Sequence, residues 1–203
     1  MSEIVTPKPL HLDKWFSSDI QFHHLYPVSI QSLAQKHWTP LSIARKAVRF
    51  LVTEDNVRIL DIGSGAGKFC LSAAYYKPHA FYYGIEQRKN LVAHAEVAGE
   101  ILKIRNVSFI HGTFTQLDFK LYDHFYFYNS FYENLASTDK IDESIAYSVE
   151  LYNYYNRYLF KQLEQMPAGT KLVTFNSLGD EVPQGFKLIE AEMDSLLRFW
   201  MKV

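Results

Sequence analysis

Residues 57–67 have the sequence Val-Arg-Ile-Leu-Asp-Ile-Gly-Ser-Gly-Ala-Gly. Its apolar first half predicts a short buried strand of a parallel sheet. Gly63, Gly65 and Gly67 then let the backbone turn sharply and pass close to a ligand. The helix that we predict directly after them would point its free backbone N–H groups towards the turn. We therefore predict a ligand site rather than a ligand-free turn, since turn geometry alone does not need three glycines and an acid at a strand end.

Short apolar runs and amphipathic segments alternate along the rest of the chain. Five apolar runs predict strands of one sheet, at residues 57–62, 81–85, 107–110, 124–129 and 171–175. Two more runs predict a closing antiparallel pair, at residues 186–189 and 196–203. The segments between the runs predict helices, at residues 67–76, 91–102 and 145–163. This alternation predicts an α/β, doubly wound fold in which helices cover both faces of a mostly parallel sheet.

The first 55 residues differ from the rest because they show helical patterns and no strand. Tyr26-Pro27 interrupts the helical pattern. Thr39-Pro40 is typical of a helix start, with an N-cap residue followed by proline at the first helical position. One apolar helix face follows, made by Leu41, Ala44, Val48 and Leu51. We predict a helical N-terminal extension or lid over residues 1–55 and a ligand-binding domain over residues 56–203.

Composition and charge fit one globular domain with a small extension. The chain has 203 residues, of which 48% are hydrophobic and 21% charged. With a formal net charge of −1, the chain as a whole has no excess of positive charge that would indicate a nucleic-acid partner. Cys70 is the one cysteine, so no internal disulfide can form, as in a reducing cytoplasm. Residues 1–9 lack the apolar stretch of a signal peptide and no later run approaches a membrane span, so we expect a cytoplasmic protein with no membrane partner.

Three kinds of ligand compete for the glycine loop. A nucleoside-triphosphate loop needs glycine where this chain has Ile62 and a hydroxyl side chain for magnesium where it has Phe69. A dinucleotide loop needs a small residue where this chain has Lys68. Asp61 would also repel a pyrophosphate, whereas it suits a ligand that carries positive charge and no phosphate. The third kind, a cationic ligand, therefore fits best.

The stretch from Asp61 to Gly67 resembles the first motif of the class I S-adenosylmethionine-dependent methyltransferases. That cofactor carries an ammonium and a sulfonium group, and in the family the loop packs beside its amino-acid part. The resemblance implies a Rossmann-like sheet of seven strands whose last hairpin is antiparallel. It also implies cofactor contacts from five residues of the motif, Asp61, Gly63, Ser64, Gly65 and Gly67.

A second motif follows at Phe81–Glu86, an apolar strand that ends in an acid 25 positions after Asp61. In the family, the carboxylate at this place binds the ribose of the cofactor, and Glu86 can accept hydrogen bonds from both ribose hydroxyls. Taken alone, Glu86 would be better explained as an acid that complements the dipole of the next helix. Together with the glycine loop, it predicts a ribose site.

After the third strand, the family often has a Gly-Asp pair whose acid contacts the adenine amine. Here Gly112 is followed by Thr113 and Phe114 instead. The resemblance implies that Thr113 hydrogen-bonds the base and that Phe114 covers its face.

The fourth strand leads into Asn129, Ser130, Phe131 and Tyr132, and in this family that strand end lies beside the reactive methyl group. Amino-group methyltransferases carry an Asn or Asp and an aromatic residue here. We predict that Asn129 contacts the cofactor and orients the N–H of an amine acceptor with its carbonyl. Phe131 and Tyr132 would wall the acceptor channel and face the cationic centre. The structural alternative is that Asn129 caps a turn and that the aromatic rings belong to the core.

A closer resemblance is to the histone-lysine methyltransferases that lack a SET domain, the disruptor-of-telomeric-silencing type. It covers the middle third of the chain through Asp61–Gly65, Tyr83–Glu86 and the Asn-Ser-Phe of residues 129–131. The second asparagine of that family is Ser130 here.

The function that we predict is methyl transfer from S-adenosylmethionine to the nitrogen of a protein side chain or a small amine. Two alternatives stay open, a small-molecule or RNA methyltransferase and a non-catalytic module that keeps the cofactor pocket. The adjacent pair His23-His24 has no cysteine or acid at metal-ligand spacing, so we predict no metal site. The sequence does not reveal the acceptor or the oligomeric state.

Overall fold

The computed structural model describes residues 10–135 and 140–203, and its centre is one sheet of seven strands. The strands are β1 Arg58–Ile62, β2 Phe81–Glu86, β3 Val107–His111, β4 His124–Phe127, β5 Lys171–Phe175, β6 Phe186–Glu192 and β7 Leu197–Lys202. Their order is β3-β2-β1-β4-β5-β7-β6. Strands β1 to β5 are parallel, and β7 runs antiparallel to both β5 and β6. The predicted fold class is thereby confirmed.

Helices cover both faces of this sheet. They are α1 Leu10–Trp15, α2 Asp19–His23, α3 Val28–Gln31, α4 Ala34–His37, α5 Leu41–Leu51, α6 Lys68–Tyr76, α7 Lys89–Leu102 and α8 Val149–Glu164. Successive side chains of β1 point to opposite faces, so Ile59 packs with α5 and α6 while Leu60 packs with α8. In the described part of the chain, no helix is both long and apolar enough to cross a membrane.

Two of the differences from the predicted element ends have a clear local cause. Helix α8 begins at Val149 because the hydroxyl of Ser148 accepts the N–H of Leu151 at 3.1 Å and caps the helix. Ile145, the first residue of the predicted helix, therefore precedes the observed one. Strand β4 ends at Phe127 instead of residue 129, and Asn129 has a positive φ of 31° that no strand accommodates.

The N-terminal helices pack on the rest of the chain in two ways. Helix α5 lies on the sheet, where its buried face joins the core of β1, α6 and β5. Helices α1 to α4 pack beside the glycine loop, and the hydroxyl of Tyr26 donates to the carbonyl of Ala66 at 2.8 Å. Lys68 forms an ion pair with Asp19 at the same boundary. The division at residue 55 stays a prediction, but α5 belongs structurally to the sheet layers.

Candidate active site

A cavity of about 590 Å³ opens at the carboxyl ends of β1, β2 and β4. This edge is where ligands bind in open parallel sheets, because the loops from neighbouring strands meet there. The walls come from the glycine loop, the β2 and β4 ends, the N-terminal helices and residues 141–146. The predicted site residues among them are Gly63, Gly65, Glu86, Phe114, Asn129, Phe131 and Tyr132.

Gly63, Gly65 and Gly67 all have positive φ, at 77°, 54° and 81° respectively, but their surroundings differ. A Cβ on Gly65 would meet nothing within 4 Å, so its backbone faces open space in the cavity. A Cβ on Gly63 would overlap the side chain of Ser130. A Cβ on Gly67 would lie 2.5 Å from the Phe109 ring, so Gly67 lets the loop pack against the sheet. Gly65 is thus the glycine that a ligand can approach.

Glu86 ends β2 with a buried carboxylate that is tied to the glycine loop. Its Oε2 accepts the N–H of Gly65 at 3.1 Å, and its Oε1 accepts the N–H of Arg88 at 2.9 Å. Burial raises the pKa of Glu86, and the N–H and positive charge of Arg88 and the N–H of Gly65 oppose that rise. Each carboxylate oxygen has two lone pairs, so each can accept one further hydrogen bond from a ligand hydroxyl.

Four residues predicted to bind the cofactor lie outside the lining of the cavity, namely Asp61, Ser64, Gly67 and Thr113. Asp61 points to the α6 face, where the Cys70 thiol donates to its carboxylate at 3.6 Å. Burial raises the pKa of Asp61 to about 8. The hydroxyl of Thr113 lies 2.7 Å from that of Thr115. The buried hydroxyl of Ser64 has no hydrogen-bond partner in the described part of the chain, and it faces Gly84 of β2.

Phe114 and Phe131 form one aromatic wall of the cavity. Their ring centroids lie 5.0 Å apart with an interplanar angle of 22°, and both rings are buried. Phe131 also packs on Phe127 and Tyr155, so it is a core residue as well as a wall residue. Such a wall can cover a flat ring of a ligand.

The opposite part of the cavity is polar and centres on Asn129. Its Nδ2 donates to the main-chain carbonyl of Asn176 at 2.7 Å. The Asn176 side chain donates in turn to the hydroxyl of Tyr128 at 3.3 Å. Because its Nδ2 is engaged in this way, the Oδ1 is the side-chain atom of Asn129 that can accept an N–H. Tyr132 lines the cavity beside it with its side chain half exposed.

Sequence reasoning missed several wall residues, including Arg88, Glu133, Asn176 and Leu178. Asn176 had a usable signal, because it directly follows β5 and so lies at the same sheet edge as Asn129. Arg88 had none, because arginine is mostly exposed and the hydrogen-bond partners of its side chain lie 45 to 59 positions further along the chain.

These residues fit S-adenosylmethionine better than a phosphate-bearing ligand. Glu86 offers acceptors for vicinal hydroxyls, Gly65 leaves room beside the backbone, and the Phe114 ring can cover a base. Among the described residues that line the cavity, Arg88 is the only lysine or arginine, and its guanidinium is engaged by protein groups. Within residues 10–135 and 140–203, no three His, Cys, Asp or Glu side chains form a group that could hold a metal ion.

Comparisons with known proteins find similarity to methyltransferases. Residues 53–149 match the family model of a methyltransferase domain. Over 77 residues, the chain is 32% identical to the release factor glutamine methyltransferase of Buchnera aphidicola subsp. Baizongia pistaciae (strain Bp). That match covers 37% of this chain and 28% of the relative, so the chain spans under a third of that protein's length.

Solved structures show the same fold at low sequence identity. Magnesium protoporphyrin IX methyltransferase from Synechocystis PCC 6803, with bound S-adenosylmethionine, has a TM-score of 0.58 and 16% identity, with all of both chains covered. An RNA methyltransferase from Salinibacter ruber, in complex with S-adenosyl-L-homocysteine, also has a TM-score of 0.58, with 20% identity. That likeness covers 81% of this chain and 93% of the other.

The methyltransferase model, the strand order and the cavity at the strand ends agree with the resemblance at Asp61–Gly67 and Phe81–Glu86. The likeness to the non-SET histone-lysine enzymes stays a prediction. The family model and the fold together support a class I methyltransferase domain at residues 53–149, with S-adenosylmethionine as its cofactor.

Proposed function

We propose that this protein transfers a methyl group from S-adenosylmethionine to a nitrogen of a protein side chain or a small amine. The observation that carries the proposal is the orientation of Asn129, whose Nδ2 is bound by the Asn176 carbonyl inside the cavity. An amide held in this way presents its carbonyl to a donor, and an N–H is the donor that a nitrogen acceptor brings.

The chemistry demands positioning from the protein more than proton transfer. The cofactor supplies a methyl carbon already activated by its sulfonium, so an in-line approach of the acceptor accounts for much of the rate. Glu86 and the glycine loop would hold the cofactor in place. Asn129 would orient the acceptor nitrogen in its uncharged form, and the half-exposed ring of Tyr132 would face the cationic centre.

The N-terminal helices would close the acceptor side. Leu33, His37 and Trp38 line the cavity, and Trp38 is buried against Tyr26 at a ring distance of 4.8 Å. This contact supports a covering role for α1 to α4, which we propose limits the acceptors that can enter.

We infer a nitrogen acceptor from the chemistry of Asn129 and from a partial likeness to one relative. The release factor glutamine methyltransferase acts, by its name, on a protein side chain, and it shares 32% identity over its matched segment. The structural neighbours include an RNA and a porphyrin methyltransferase, so both acceptors belong in any test. The net charge of −1 favours a protein or small amine over RNA. We also expect a cytoplasmic location, since Cys70 is a free, buried thiol.

The test is methyl transfer with labelled S-adenosylmethionine and a panel of peptides, small amines, RNA and porphyrin. We expect label on a nitrogen of a peptide or amine, with a large loss in Asn129→Ala. Label on RNA or porphyrin alone would contradict the proposed acceptor class. Binding of S-adenosylhomocysteine without transfer to any acceptor would favour a non-catalytic module.

A further inference from the structure

Arg88 is a buried cation whose contacts join three parts of the cavity wall. Its side chain is 4% exposed, and its Nη1 lies 3.5 Å from the Oε1 of Glu86. Nη2 donates to Glu133 at 2.6 Å and to the hydroxyl of Tyr147 at 2.7 Å. Nε donates to Asp142 at 3.3 Å. One guanidinium thus faces three carboxylates, one at the end of β2 and two in the region that follows β4.

Residues 140–147, which we name the wall segment, are folded around these same groups. The carboxylate of Glu133 accepts the N–H of Ile141 at 3.0 Å, and Asp142 accepts the N–H of Ser144 at 2.9 Å. The hydroxyl of Tyr147 donates to the main-chain carbonyl of Asp142 at 2.6 Å. The side of the segment that faces inward lines the cavity through Ile141, Ile145 and Ala146.

Removal of the Arg88 charge would leave these carboxylates without a shared cation. Glu86 and Glu133 are both largely buried, with side chains 6% and 12% exposed, so water would screen their repulsion only weakly. The wall segment would then separate from the end of β2, and Glu86 would lose one of the groups that orient its carboxylate.

We propose that Arg88 is a positioning residue for the cofactor. Through Glu133, Asp142 and Tyr147 it holds the wall segment against the cavity, and through Glu86 it orients the carboxylate that binds the ribose. The proposal rests on the proposed function, because it takes the ligand of the cavity to be S-adenosylmethionine. Lysine would be a poor replacement, since a single ammonium cannot reach acceptors in three directions in the way that a guanidinium does.

The experiment measures the affinity and dissociation rate of S-adenosylhomocysteine for the full chain and four variants. We expect Arg88→Met to bind at least about tenfold more weakly, Arg88→Lys to recover part of that loss, and Tyr147→Phe to release ligand about threefold faster. Arg58→Met is the matched control. It removes another arginine–carboxylate pair, with Asp123 at 2.8 Å, at the opposite end of β1, and should leave binding unchanged.

Hydrogen exchange over residues 140–147 separates positioning from a general loss of stability. In wild type, bound ligand should slow amide hydrogen exchange in this segment. In Arg88→Lys most of this slowing should be lost, while the ligand should still slow exchange in β1. If wild type does not bind the ligand, the proposed function fails together with this inference. If wild type binds and Arg88→Met binds equally well, only the inference is overturned. Should Arg88→Met not fold, unchanged ligand release from Tyr147→Phe overturns the inference instead.

Discussion

The main-chain N–H of Gly65 donates to the Oε2 of Glu86 at 3.1 Å, which joins the two sequence motifs of the site by one hydrogen bond. The loop after β1 therefore has its position fixed by the residue that ends β2. The second carboxylate oxygen is held by the N–H of Arg88. A side chain with both oxygens oriented by backbone donors is preorganised for a ligand that brings two hydroxyls.

Glu86→Gln should weaken the binding of S-adenosylmethionine by about 1–3 kcal/mol, the usual effect of losing charge-assisted hydrogen bonds. Glutamine keeps the shape but has one acceptor oxygen, so one of the two backbone N–H groups also loses its partner. Calorimetric titration measures the affinity, and chemical denaturation reports how much of the change is stability. Wild-type affinity in a folded Glu86→Gln protein would remove Glu86 from the ribose site.

Asn129→Ala should lower kcat/KM by about 10²-fold, near 2.7 kcal/mol, while cofactor affinity changes little. Asn129→Asp should be harmful as well, because a carboxylate oxygen would replace the N–H that now faces the Asn176 carbonyl. Steady-state kinetics on a confirmed acceptor, with calorimetry for the cofactor, separate the two effects. An Asn129→Ala enzyme with wild-type rates would show that Asn129 only shapes the turn after β4.

Gly65→Ala and Gly67→Ala should differ in what they impair. Both place alanine at positive φ, which costs about 1–2 kcal/mol. At residue 65 the added methyl group meets open space, so the larger effect should be on cofactor binding. At residue 67 it would meet Phe109 at 2.5 Å and Ala95 at 2.8 Å, so overpacking should remove a further 1–3 kcal/mol or so of stability. Urea denaturation and calorimetry on both proteins check the contrast, and equal stability losses would contradict it.

Asp61 should make the stability of the ligand-free protein depend on pH. Burial raises its pKa from 3.8 to about 8, so between these values the folded state keeps a proton that the unfolded state releases. The contribution is complete below the unfolded pKa and is lost as pH rises towards 8, with a slope of up to about 1.4 kcal/mol per pH unit.

Asp61→Asn removes this titration. The free energy of unfolding of wild type minus that of Asp61→Asn, measured by urea denaturation, should therefore decrease between pH 5 and pH 8. A difference that stays constant over this range would show that the Asp61 carboxyl has an ordinary pKa in the folded protein.

The sequence predicted the parts of the site that a strand–turn–helix unit determines by itself. Gly65 and Glu86 lie where their motifs place them, because strand ends of a parallel sheet share one edge. Asp61 lies outside the lining of the cavity for a physical reason, since its position in β1 directs the side chain to the α6 face and towards Cys70, and its contact with the cofactor stays a prediction. Arg88 was beyond prediction, because it gains its contacts with Glu133, Asp142 and Tyr147 only through the tertiary structure.

The identity of the cofactor is decided by calorimetric titration of the purified protein with S-adenosylmethionine, and in parallel with NAD and ATP. We expect saturable one-to-one binding of S-adenosylmethionine that is weakened in Glu86→Gln, with much weaker binding of NAD and ATP. Tight binding of NAD or ATP, with no response to S-adenosylmethionine, would contradict this expectation.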